Sequence, residues 1–173
     1  MVSMTQTGSD ATAANPADTP AFPPDSIEAF LRFCAGEWMS LRSRFELDTP
    51  DDAGEGDEWH SSERGELVVA YLEPASEGPG GLSVGPKGEA MHQLLFAADG
   101  RFSAGERLGQ WQLWPDGSLE LVLSGEGREV RERIWFTKPN LRLRSTVEHF
   151  SDGSAGRASF SSEIRRVSRP AAS

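Results

Sequence analysis

The chain has 173 residues, 17 Lys+Arg against 27 Asp+Glu, and a formal net charge of -10. That length fits one domain with a sizeable core, while the acidic balance argues against nucleic acid, whose phosphates it would repel, and against an anionic membrane surface. A single cysteine, Cys34, excludes an internal disulfide; together with a start that lacks a basic-then-apolar leader and the absence of any apolar run of spanning length, it predicts a cytoplasmic protein.

Residues 1–24 are rich in Ala, Thr, Ser, Asp and Pro and offer little to bury, which predicts a disordered tail ahead of a single domain over 25–170. Asp25 and Glu28 have the spacing of a capping box. Ile27, Phe30, Leu31 and Cys34 then form an i, i+3, i+4, i+7 stripe that ends at Gly36, the pattern of one short amphipathic helix. Beyond Gly36 the period switches to alternation. Met39, Leu41, Ser43, Phe45 and Leu47 fall on one face, and Trp38, Ser40, Arg42, Arg44 and Glu46 on the other.

Residues 48–57, with Pro50 and two glycines, read as a loop. Further β-type runs follow at about 58–72, 91–97, 100–105, 107–114, 118–124, 128–137, 141–150 and 157–168. Ala98-Asp99-Gly100, Pro115-Asp116-Gly117, Lys138-Pro139-Asn140 and Ser151-Asp152-Gly153 supply turn chemistry between several of them. The Gly-rich segment 74–90 reads as a longer loop with room for an edge strand. One short helix followed by eight or nine antiparallel strands is a barrel or a sandwich. A mainly β, antiparallel up-and-down barrel is preferred, because a meander of hairpins closes on itself and closure removes exposed edges. A barrel of this size holds one small ligand.

Several candidate sites reduce to packing. Gly36-Glu37-Trp38, where the helix leads into the first strand, resembles the opening of lipocalins, in which the tryptophan plugs the closed end of the barrel and an arginine from the last strand covers it. Arg165 or Arg166 is the candidate cover, and Trp38 reads as packing. His60, His92 and His149 follow no metal-ligand spacing. Cys34 lies on the apolar stripe and reads as an inert buried thiol. The glycines of 78–88 do not open a helix after a strand and so form no phosphate cradle. Trp111 and Trp114 read as barrel core or rim.

The segment 132–147 is different. Glu132 is in phase with Val130, Ile134 and Phe136, the apolar side of its run, and an acid there must be paired or used. Arg142 and Arg144 alternate against Leu141, Leu143 and Val147. If Lys138-Pro139-Asn140 is a three-residue loop, Phe136 opposes Arg142, Ile134 opposes Arg144 and Glu132 opposes Thr146, which puts Glu132, Arg142 and Arg144 on one face. A two-residue loop shifts the register by one and separates the acid from both arginines.

Three stretches carry a family likeness: Phe33-Cys34-Ala35-Gly36-Glu37-Trp38-Met39-Ser40-Leu41-Arg42-Ser43, Glu132 to Phe136 through Pro139-Asn140-Leu141-Arg142-Leu143-Arg144, and Phe160-Ser161-Ser162-Glu163-Ile164-Arg165-Arg166. Over about 26–168 the chain resembles the S-type phycobiliprotein lyases of cyanobacteria, the CpcS/CpeS family, with Asn140 to Arg144 the most specific part. The resemblance implies a lipocalin-like barrel that binds a linear tetrapyrrole, phycocyanobilin or phycoerythrobilin, without a covalent bond. It also implies transfer of that bilin to a cysteine of a phycobiliprotein subunit as a thioether. The bilin is substrate, and no cofactor or metal is implied. Family positions fall on Glu132 as proton partner of the chromophore, on Arg142 and Arg144 as propionate clamps, on Arg42, and on a hydroxyl neighbour at Thr146 or Ser145. Dimerisation is compatible with such a barrel, and nothing in the sequence demands it. One departure stands out: the histidine that many members carry after the Trp-x-Ser-x-Arg motif is replaced by Arg44, Phe45 and Glu46. Two other readings therefore stay open, a bilin carrier without transfer activity and a lipocalin-like binder of fatty acid, haem or a similar hydrophobe.

Overall fold

The computed structural model describes residues 20–47, 60–154 and 156–168. One helix, α1 (Ile27–Cys34), precedes ten strands: β1 (Gly36–Glu46), β2 (His60–Leu72), β3 (Gly80–Pro86), β4 (His92–Phe96), β5 (Arg101–Ala104), β6 (Arg107–Leu113), β7 (Leu119–Gly125), β8 (Arg128–Lys138), β9 (Leu141–Phe150) and β10 (Arg157–Arg165). Each strand pairs antiparallel with its chain neighbours, and β1 pairs with both β2 and β10, so the meander closes into a barrel. The mainly β up-and-down barrel with a short N-terminal helix expected from the sequence is the observed fold.

The helix starts one residue later than the capping box suggests. Ser26 is its N-cap, extended at φ -137 and ψ 157, and its Oγ accepts from the Ala29 amide at 3.2 Å. Glu28 in the first turn pairs with Arg32 in the last at 3.1 Å, each sign at the end of the macrodipole that favours it. Phe30, Leu31 and Cys34 are the buried face. Of the residues assigned to the tail, 1–19 lie outside the described residues, as does the loop reading of 48–57. The end of that segment is packed. Pro24 is fully buried, and the Phe22 ring centroid lies 5.8 Å from that of Phe33.

The segment 74–90 requires a correction. It contains β3, which is bonded to β2 on one side and β4 on the other and is not an edge. Its glycines read as loop but serve close approach between strands. A Cβ on Gly81 would lie 2.5 Å from the Leu94 carbonyl oxygen, and one on Gly85 2.7 Å from that of Ala90.

Strand alternation divides the barrel interior into two halves. Phe96, Phe102, Leu119, Leu121 and Ile134, with Trp111 packed against them, make one half apolar. On β1, β9 and β10 the polar set faces inward: Arg142, Ser161 and Glu163 are each 1% exposed, whereas Met39 and Ile164 on the outer face are 45% and 51% exposed. The register puts Met39 beside Ile164 and Leu41 beside Ser162 on that outer face. α1 closes the end of the barrel at which β1 begins and β10 ends.

Candidate functional site

The floor is built from Trp38. Its Nε1 donates to the Cys34 carbonyl at 3.0 Å, tying the first strand to the helix. The guanidinium of Arg165 lies 4.3 Å and that of Arg142 4.5 Å from its ring centroid. Arg165 donates to the carbonyls of Ala35 and, at 2.5 Å, Phe33, so it also caps α1. A Cβ on Gly36, whose φ is +141, would lie 2.9 Å from Arg165 Nη1, so this approach depends on glycine. Of the two candidate covers, Arg165 takes the place over Trp38, while Arg166 bonds Glu66. Burial lowers the Arg165 pKa from its ordinary value.

The turn between β8 and β9 combines the two loops considered from the sequence. It has two residues, Pro139 and Asn140, yet Phe136 opposes Arg142, Ile134 opposes Arg144 and Glu132 opposes Thr146. An irregularity between Phe136 and Lys138 makes Thr137 the extra residue, which restores the register of the three-residue loop. Glu132, Arg142, Arg144 and Thr146 therefore share the inner face. Thr146 Oγ1 donates to Glu132 Oε2 at 3.2 Å, and Arg144 Nη1 lies 3.8 Å from Glu132 Oε1. Ser145, the other hydroxyl considered, is opposite Arg133 and Phe160 on the outer face and is not part of this group.

A second acid, Glu163 on β10, was not singled out from the sequence. It is opposite Arg142 in the ladder, accepts from Arg142 Nε at 2.5 Å and pairs with Arg144 Nη2 at 3.2 Å. Its cue is weak: it is in phase with Ser161 and Arg165 and out of phase with Phe160 and Ile164. That marks it as inward only once the polar set of this strand is known to face inward. Arg42 on β1 donates from Nε to Ser161 Oγ at 3.3 Å. Among the described residues it has no carboxylate within ion-pair distance.

Charge and hydrogen bonding leave this quadrant incomplete. Three inward guanidiniums, Arg42, Arg142 and Arg144, face two carboxylates, Glu132 and Glu163, a local positive excess inside a chain of net charge -10. Among the described residues, Arg142 Nη2 and Arg144 Nε are buried without an acceptor, a state that costs free energy unless a ligand supplies one. Burial lowers the Arg144 pKa, but the charges of Glu132 and Glu163 more than offset this and hold it above its ordinary value. Burial pushes the Cys34 thiol up, only partly countered by Arg142, so it is neutral and shielded. Arg42 and Glu163 line a cavity of about 500 Å³ together with Ser40, Gly65, Leu67 and Pro86, within the range of ligand pockets. Such a site suits a flat apolar ligand that carries carboxylates for the arginines and N–H groups for an acid.

Comparison with known proteins identifies the family. A family model described as CpeS-like protein matches residues 93–166. The chain is 46% identical over 153 residues to chromophore lyase CpcS/CpeS 1 of Paulinella chromatophora, covering 87% of this chain and 94% of that one. It is 49% identical over 61 residues to chromophore lyase CpcS/CpeS 2 of a Synechococcus strain, covering 35% and 32%. The S-type phycobiliprotein lyase CPES of Guillardia theta superposes with a TM-score of 0.64 at 20% identity, over 83% of this chain and 94% of that one, and shares the fold. Since the identity to the Paulinella protein extends over nearly all of both chains, this chain belongs to the CpcS/CpeS chromophore lyase family.

Proposed function

We propose that the protein binds a linear tetrapyrrole, phycocyanobilin or phycoerythrobilin, non-covalently in the barrel and promotes its attachment through a thioether to a cysteine of a phycobiliprotein subunit. Besides family membership, the observation that carries this reading is the inner quadrant with its unpaired arginine donors. The two propionates take Arg42, which has no carboxylate partner among the described residues, and Arg144, with Arg142 Nη2 completing the second clamp. Arg142 itself is held by Glu163, so it acts more as the base of the clamp than as a free hook. Glu132, fixed by Thr146, accepts from the pyrrole N–H groups and favours the protonated chromophore. The conjugated system lies along Leu121, Trp111 and Phe102.

In the transfer step the acceptor thiol adds across the exocyclic ethylidene double bond. A carbon–sulfur bond forms, the π bond is consumed, and the thiol hydrogen ends on the neighbouring carbon, so no oxidant or leaving group is needed. The protein contributes by holding the bilin extended, protonated and oriented. A homodimer formed through the outer apolar face is part of the same proposal. The carrier reading rests on Arg44, Phe45 and Glu46 in the histidine region, and a transfer assay separates the two.

The test mixes protein with bilin and then with apo-subunit. The expected result is a shifted bilin spectrum on binding, followed by denaturation-stable colour on the subunit. Arg42→Ala should weaken binding about tenfold or more, whereas Glu132→Gln should keep binding and slow transfer about 10²-fold. If both variants perform both steps as the wild type does, the assignment is wrong. If bilin binds and the protein does not accelerate attachment, it is a carrier.

A further inference from the structure

The cavity beside Arg42 and Glu163 is bounded on one side by β2 and the β3–β4 turn. β2 pairs with β1 from His60 to Val69, but with β3 only from Leu67 to Leu72. Among the described residues, 61–66 thus have no strand beside them on the β3 side. The Lys87 amide donates to the Glu66 carbonyl at 3.0 Å and ends the ladder there. Because Glu66 turns its main-chain groups toward β3, the alternation of an extended strand turns those of Ser62 and Arg64 the same way. Among the described residues these have no main-chain partner.

This gap reaches Arg42 and Glu163 of the site. The 500 Å³ cavity that reaches Arg42 and Glu163 is also lined by Glu63, Arg64, Gly65 and Glu66 of β2 and by Lys87 and Glu89 of the β3–β4 turn. Gly65 lines it, opposite Ser40 in the ladder. A Cβ placed there meets nothing within 4 Å, and its backbone is not left-handed. Most glycines of the barrel wall permit close contact; this one leaves a space. The charged rim of Glu63, Arg64, Lys87 and Glu89 marks the opening as wet.

We infer that this lateral slot between β2 and the β3–β4 turn, and not the end of the barrel, is where the acceptor thiol reaches the bilin. The inference rests on the proposed bilin transfer and adds the place of contact. With the propionates of the two middle rings held at Arg42 and Arg144, one terminal ring extends over the apolar half. The other, with its ethylidene group, extends past Ser40 and Gly65 into the slot. The main-chain groups of Ser62 and Arg64, without a main-chain partner among the described residues, offer hydrogen bonds to the acceptor polypeptide docked over it.

The test uses the full chain with phycocyanobilin and no acceptor protein. A cysteine is introduced in the slot, as Gly65→Cys or Glu89→Cys, or toward the end of the barrel away from α1, as Glu148→Cys, an inward position about one-fifth exposed beside Arg128. Cys34, fully buried, stays in every chain, and the wild type is the blank. Thiol addition to the ethylidene group leaves colour on the denatured chain. The expected result is retention on at least one slot variant, at least tenfold above the wild type and Glu148→Cys. Retention on Glu148→Cys alone overturns the slot, as does a bilin spectral shift in every variant with capture in none. A wild type that gives no spectral shift with bilin overturns the underlying reading of function instead.

Discussion

Glu163 decides what the inner arginines can do. It is 1% exposed, lies between Arg142 and Arg144, and neutralises part of their charge inside the barrel. Removing one partner of a buried ion pair costs more than the pair contributes, because the remaining charge is left uncompensated. Glu163→Ala should therefore lose about 3–5 kcal/mol of stability, read as a lower urea midpoint, with Glu163→Gln intermediate. Arg42→Ala, which breaks only a 3.3 Å bond to Ser161, should change ligand binding with little change in that midpoint. A Glu163→Ala protein as stable as the wild type would show that the acid does not hold the arginines. Cys34 gives a separate check. Burial raises its pKa and shields it, so a thiol reagent at neutral pH should leave the folded protein unlabelled and label it only in denaturant.

Among the elements, the β8–β9 hairpin shows what the sequence makes legible. Alternation marks both strands, and Pro139-Asn140 marks the turn. The inner grouping of Glu132, Arg142 and Arg144 was legible as one of two registers. The bulge at Thr137 that selects this register was not, since it carries no glycine or other residue signal. The strand β3 was hidden for the opposite reason: its glycines signal loop, whereas their function is close contact with β4. Glu163 was obscured because its neighbours Phe160 and Ile164 face solvent, which inverts the usual assumption that the apolar set points inward.

Three hairpin turns share another feature. Asp99, Asp116 and Asp152 each accept from groups two residues ahead, Arg101, Ser118 and Ser154. These side-chain and backbone hydrogen bonds lower all three pKa values. A carboxyl depressed in the folded state adds stability above its unfolded pKa and loses it as pH falls through the folded value. The urea midpoint should thus fall on acidification below about pH 4, and the triple Asp→Asn variant should show a smaller fall. An identical acid response in both would remove the turns from the explanation.

For the whole molecule, the inversion of polarity on β1, β9 and β10 has two consequences. Inside, it gathers the arginines and acids of the proposed bilin site. Outside, it exposes Met39, Leu41, Phe160 and Ile164, with the Trp135 ring 6.3 Å from Phe160. Contiguous apolar surface of this kind marks interaction sites. The proposed homodimer predicts that Met39→Lys with Ile164→Lys halves the mass measured by light scattering, while bilin binding persists. A wild type already of single-chain mass would remove the dimer and leave the site untouched.

The central claim, that the inner arginines recognise the carboxylates of a bilin, is tested most directly with the ligand. Phycocyanobilin and its dimethyl ester are titrated, by visible absorbance, into the wild type and Arg42→Ala. The account predicts that the wild type binds the diacid at least about tenfold more tightly than the ester, and that this preference shrinks in Arg42→Ala as diacid affinity falls. Equal affinity of the wild type for diacid and ester would contradict it.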